Sequence, residues 1–149
     1  MSKAQKIAAT VGGSADDIEA SFYEALKTGD IDRLMACWAD DDDVICVHPG
    51  GPRMVGLVAI RAAFESLFSN GNLRISAQDV RKIDGLASSI HSVRERIDIL
   101  TQEGPVDAFV MATNVYHKTA QGWRLVAHHA SPGNPRESED ITARVHVLH

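Results

Sequence analysis

Residues 122–132 read GWRLVAHHASP, and the way this stretch alternates decides the fold. Strand side chains alternate with a period of two, so Trp123, Leu125, Ala127, His129 and Ser131 share one face while Arg124, Val126, His128 and Ala130 share the other. The two adjacent histidines therefore point opposite ways. Ser131-Pro132-Gly133 is expected to break the ladder, because proline has no N–H to give and glycine favours a turn. The stretch reads as a strand that ends at a site, with everything upstream forming a cup around the Trp123 and His129 face.

Working back from it, the period of two persists to Leu73. Asp84-Gly85, Glu103-Gly104-Pro105 and Gln121-Gly122 cut the run into strands at 73–83, 86–100, 106–118 and 123–131. Such short connections make consecutive strands antiparallel neighbours. The strand from Val106 to Lys118 is apolar on both faces, with Phe109, Met111 and Val115 on one and Val106, Ala108, Val110 and Tyr116 on the other. Helices can cover one face, and a second copy of the chain is the economical cover for the other. A homodimer through the outer sheet face is expected. On the strand before it, Glu95 shares a face with His91, Val93 and Ile97, while Arg94, Arg96 and Asp98 share the opposite one. Charges within a sheet that faces a dimer interface are expected to pair structurally.

Upstream of Leu73 the period is helical. Ser14 caps a first helix with Asp16 and Asp17 in the turn where the dipole favours negative charge; Ile18, Phe22, Ala25 and Leu26 form its stripe, and Thr28-Gly29 stops it. Asp30 caps a second, in which Ile31, Leu34, Met35 and Trp38 keep helical spacing, so Trp38 reads as part of a buried stripe. Asp40 to Asp43 suit a solvated loop, since they would sit badly at a helix C-terminus and lack the spaced ligands and glycine turn of a calcium site. Val44 to His48 is a short β-branched strand with His48 at its exit, and Met54-Val55 returns beside it. Gly56 leads into a third helix whose apolar face is Ile60, Phe64, Leu67 and Phe68, ended by Asn70-Gly71.

At 149 residues the chain suits one domain at 14–133, with tails at 1–13 and 134–149. The second tail ends in ITARVHVLH, whose alternation makes it the candidate for an extra edge strand. With 44% apolar and 23% charged residues the composition is that of an ordinary globular protein. A formal charge of -5 argues against nucleic acid or an anionic membrane as partner and leaves a small molecule or a protein. The first residues lack the apolar core of a signal peptide and no stretch approaches transmembrane length, so a cytoplasmic location is expected. Cys37 and Cys46 show neither CxxC spacing nor a metal-ligand grouping and read as buried thiols; no cofactor and no metal is expected.

Helices, a hairpin, a helix and four long strands make an α+β plan in which a curved antiparallel sheet wraps three N-terminal helices into a cone. GDIDRLMACWADDDDVICVHPGG at 29–51, GLVAIRAAFESLF at 56–68 and NVYHKTAQGWRLVAHHASP at 114–132 resemble the nuclear transport factor two-like superfamily, in particular the SnoaL-like proteins, with their cystatin-like α+β barrel, and the calcium/calmodulin-dependent kinase II association-domain group. The resemblance covers Ser14 to Gly133. In that group the final strand carries a tryptophan, a histidine six residues on and a small pair ending in serine, matched by Trp123, His129 and Ala130-Ser131. The kinase association domain places an arginine before a valine-aromatic-histidine run, whereas Asn114 stands before Val115-Tyr116-His117 here. The carboxylate dyad of ketosteroid isomerase and the polyketide cyclases has no equivalent that the sequence singles out.

The resemblance implies that Trp38, His48, Asn114 and His129 converge at the open end of the cone, a mostly apolar ligand pocket with few polar groups. His129 or His48 is the candidate general base, because imidazole titrates near neutrality; a buried histidine tied to a carbonyl is the structural alternative. Three functions fit: a dimeric binder of a small carbonyl or carboxylate compound, with isomerase-, cyclase- or hydratase-like chemistry if it is an enzyme; a non-catalytic assembly or sensor module; and an accessory subunit of a larger enzyme.

Overall fold

The structure is a computed structural model and describes residues 13–71, 73–133 and 140–142. Helix α1 spans Ala15–Thr28; Ser14 Oγ accepts the Asp17 N–H at 3.1 Å, and Gly29 closes the helix at φ 71°, a left-handed conformation that favours glycine. Helix α2, Ile31–Ala36, starts at Asp30, whose carboxylate accepts the Arg33 N–H. It stops short of Trp38, which helical spacing had placed inside it. The chain there pairs with the last strand instead: the Ala39 N–H donates to Leu125 O at 2.9 Å and the Leu125 N–H to Cys37 O at 2.8 Å. Trp38 is still buried, at 4% exposure.

Strands β1, Ile45–Val47, and β2, Arg53–Val55, form the expected hairpin, and α3 spans Leu57–Ser69. Strands β3, Leu73–Asp84, β4, Ser88–Thr101, β5, Gly104–Thr119, and β6, Gly122–Gly133, follow as consecutive antiparallel neighbours, in a sheet ordered β2-β1-β6-β5-β4-β3. The sheet is mixed, because β1 runs parallel to β6. Strand β6 also continues through Pro132, where a break was expected. Proline is tolerated there because β1 pairs only with Ala127 to His129, so the missing N–H removes no described ladder bond. Register shifts between Gln78 and Arg81 on β3 and between Val115 and Tyr116 on β5 bend an unclosed sheet around the helices.

Paired residues share a face, so the register sorts the sheet into cross-strand rows. The inner rows include His91–Asn114–His128–Cys46, where His128 meets Phe22, and Val93–Ala112–Ala130; Cys46 and Val93 join the core with Ile18, Phe22, Leu34, Ile60 and Phe64 from the helices, while Ala112 and Ala130 form a smaller cluster with Val110 and Ile97. On the outer face, one apolar row crosses the whole sheet as Ile83–Ile90–Val115–Ala127–Ile45–Val55. Beside it runs a polar row, Arg81–Ser92–Thr113–His129–Val47–Arg53. The expected tail strand lies mostly outside the described residues; Asp140 is described and pairs with Arg81 Nε at 2.5 Å.

Candidate functional site

The inner face carries a buried polar network built from α1, β4, β5 and β6. Glu19 and Tyr23 lie one turn apart on α1, both under a tenth exposed. The Tyr23 hydroxyl donates to Glu95 Oε2 at 2.7 Å and accepts from Asn114 Nδ2 at 3.0 Å, while Asn114 Oδ1 lies 2.5 Å from His128 Nδ1. A second group sits beside it: the Tyr116 hydroxyl donates to Glu19 Oε2 at 2.7 Å, and His91 Nδ1 lies 2.8 Å from the same oxygen. His91 Nε2 has no hydrogen-bond partner among the described residues and lies 3.9 Å from Asp16 Oδ1, which is itself paired with Lys82.

Burial dominates the electrostatics. It pushes the Glu95 carboxyl up to about 7, against the Tyr23 hydrogen bond and with help from the Glu19 charge. It holds the His128 imidazole down at about 3, aided by His48 and His129, and it raises Tyr23 well above the usual phenol range. Around neutral pH the site therefore holds a neutral imidazole and a carboxyl poised to gain or lose a proton, with His128 Nε2 4.0 Å from Glu95 Oε2.

Of the residues singled out from sequence, Asn114 is fully buried at the centre of this network. His48 is half-buried, its ring 4.8 Å from Phe64 and 6.5 Å from His128, and burial lowers its pKa; its Nε2 has no partner among the described residues. Trp38 lies in the core with its Nε1 likewise unpartnered among the described residues. His129 differs from expectation. It is exposed, in the outer row between Thr113 and Val47, and His128 takes the inner position. The cause is the β-bulge: Val115 pairs with Ala127 and Tyr116 with Leu125, so Val126 is an extra residue and the alternation inverts beyond it. Leu125 and His128 consequently share the inner face, three residues apart.

Sequence reasoning missed Tyr23, Glu19 and His128 and gave Glu95 a structural role at an outer interface. The signal for Glu95 was present, as a carboxylate in a row with His91, Val93 and Ile97; which face of the sheet met the helices was not. Arg96, on the opposite face, does pair with Asp98 and Asp107 as expected. A separate surface recess of about 260 Å³, lined by Leu26, Lys27, Leu67, Phe68 and Ile75 among others, shares no residue with the polar network. Among the described residues no group of three His, Cys, Asp or Glu side chains is placed to hold a metal ion, and no helix is long and apolar enough to cross a membrane.

Residues 16–135 match the SnoaL-like domain. A Thiobacillus denitrificans protein, named as a candidate calcium/calmodulin-dependent protein kinase type II association domain, is 36% identical over 83% of this chain and 98% of that one, with a TM-score of 0.75. A Streptomyces avermitilis protein, named as a candidate dehydratase from the NTF2-like family, is 28% identical over 78% of this chain and 91% of that one, with a TM-score of 0.69. The CaMKII hub of S. rosetta, 23% identical over 78% of this chain and 92% of that one, shares the fold at a TM-score of 0.63. No match is found among curated proteins. The chain belongs to the SnoaL-like domain family of the NTF2-like superfamily.

Proposed function

We propose that the protein is a homodimer that binds a small carbonyl or carboxylate compound inside the cone, with His128, His48 and Asn114 as polar contacts beside Glu95. The observation that carries this reading is the Glu95–Tyr23–Asn114–His128 chain, a run of buried polar groups where an apolar core would be more stable. A carboxyl poised near neutrality in a low-dielectric interior is the arrangement that acid–base chemistry requires. The reaction class that suits it begins with removal of a proton from the carbon next to a carbonyl, which an isomerisation returns to another carbon and a dehydration follows with loss of the neighbouring hydroxyl as water. The 28% identical relative is named as a candidate dehydratase.

Calorimetric titration of the purified protein with small keto acids and cyclic enones tests this. Saturable binding that is lost in His128→Phe, with the fold retained by circular dichroism, supports the reading. Absence of binding for every compound at millimolar concentration rejects it. A second reading, a non-catalytic assembly module, is favoured by the apolar row on the outer face and by the name of the 36% identical relative. It predicts self-association with no small-molecule binding, so the same titration separates the two.

A further inference from the structure

Every hydrogen bond from His128 to Glu95 points the same way when Glu95 is ionised. His128 Nδ1–H donates to Asn114 Oδ1, Asn114 Nδ2–H donates to the Tyr23 oxygen, and Tyr23 O–H donates to Glu95 Oε2. A carboxylate only accepts, an amide has one donor end and one acceptor end, and a phenol has one proton, so the charged acid aligns all the donors. His128 is neutral and its one N–H is used at Nδ1. Its Nε2 is then a bare acceptor, facing another acceptor, Glu95 Oε2, across 4.0 Å.

We infer that a proton on Glu95 reverses this chain and moves the His128 proton from Nδ1 to Nε2, so that Glu95 sets whether His128 offers a ligand an acceptor or a donor. This rests on the reading of the cone as a ligand site. The protonated acid donates its O–H from Oε2 to the Tyr23 oxygen. Tyr23 turns its own O–H toward Asn114 Oδ1 after the amide rotates by half a turn, and Nδ2–H donates to the bare Nδ1 of His128. One proton is taken up from solvent, on Glu95. His128 releases its Nδ1 proton to solvent and takes one at Nε2, so its charge does not change. Both directions keep each of these bonds made, which removes the penalty for an unpaired buried group. Reversal also replaces two facing acceptors by Nε2–H facing Oε2. The ionised state therefore suits a hydroxyl donor at Nε2, and the protonated state suits a carbonyl or carboxylate oxygen there.

Glu95 is bonded by Tyr23, faces His128 at 4.0 Å and shares a field with Cys46 and Glu19; His91 and Tyr116 are bonded to Glu19, Asn114 lies behind Tyr23, and His48, just past β1, lies beside His128. Burial lifts the Cys46 thiol to about 12, raises the Tyr116 phenol and lowers His48, all of which favour the neutral forms while Glu95 titrates.

Long-range nitrogen–proton correlation of the histidine rings, followed from about pH 5 to 9, reads the tautomer of His128 directly. The carbonyl carbon of Glu95 reports its ionisation in the same samples, and the separate His91 signals identify any titration of that ring. The expected result is Nδ1–H above the Glu95 midpoint and Nε2–H below it, with His128 neutral throughout. In Tyr23→Phe, which cuts the chain, the tautomer should no longer follow pH. A His128 that keeps Nδ1–H through the Glu95 titration, as protonation on Oε1 would give, overturns the inference. So does a tautomer change that persists in Tyr23→Phe. No ligand is needed, so this result and the calorimetric one stand or fall separately.

Discussion

At the scale of single residues, Glu95 and His128 pull stability in opposite directions as pH changes. Folded Glu95 holds a proton up to about 7, whereas its ordinary value is 4.5. Its contribution is therefore complete below 4.5 and is lost as pH rises to about 7. His128 is the reverse case: its ordinary value is 6.5 and the folded ring refuses the proton down to about 3, so stability from this group falls as pH drops below 6.5. Between 4.5 and 6.5 the two slopes offset each other. Glu95→Gln removes one of them. Relative to wild type, the variant should lose stability as pH falls from about 7 to 4.5, by on the order of 2–3 kcal/mol. Urea denaturation at a series of pH values measures this, and a difference between the two proteins that stays constant across the window rejects a raised Glu95. Tyr23→Phe strips a donor from Glu95 and an acceptor from Asn114, and should cost about 1–3 kcal/mol at neutral pH; a melting temperature equal to wild type would show that the network contributes nothing.

At the scale of elements, the sequence was legible wherever local chemistry decides the outcome. Ser14, Gly29 and Asp30 marked helix ends because caps act within a few residues, and Asp84-Gly85 and Gln121-Gly122 marked turns for the same reason. The faces of β4 and β5 were also legible, since alternation holds along both of them through this region. What was not legible is the extra residue on β6. Nothing in the run WRLVAHH distinguishes a strand with a bulge at Val126 from one without, because the bulge is fixed by how Tyr116 and Leu125 pair beneath the helices. One unpaired residue exchanged the two adjacent histidines, placing His128 inside and His129 outside. Trp38 shows the same limit, its helical spacing overridden by pairing with Leu125. Deleting Val126 tests the bulge. Leu125 then joins Ala127 directly, so regular alternation keeps Leu125, His128 and Ala130 inward and Asn114 paired with His128, and the deletion should cost only the partial packing of Val126, about 1–2 kcal/mol. A deletion variant that unfolds, or whose His128 ring becomes solvent-exposed, would show that Val126 is not the extra residue.

For the whole molecule, the open question is what covers the outer face. Both sheet faces cannot be buried by three helices, and the apolar row from Ile83 to Val55 lies opposite them. Its ends are well exposed, at 71% for Ile83 and 50% for Val55, while Val115 near its middle is half-buried by its neighbours. A row that spans every strand is self-complementary under a twofold axis lying between the two sheets and across the row, because each residue then meets the one equally far from the opposite end of the partner's row. Phe109 and Met111 extend the apolar surface along β5, toward the roughly 800 Å² per partner that a stable interface needs. A second copy is accordingly the expected cover, and the interface should be broken at its centre without harm to the fold. Val115→Lys places a charge there, next to the axis and so close to its own copy, where like charges repel and lose water. Sedimentation of the wild type at micromolar concentration should give the mass of two chains, and the variant the mass of one, with circular dichroism unchanged because Val115 lies outside the core clusters. A wild-type mass of one chain would leave the row exposed and remove the dimer, whereas a variant that remains paired would move the interface to another surface.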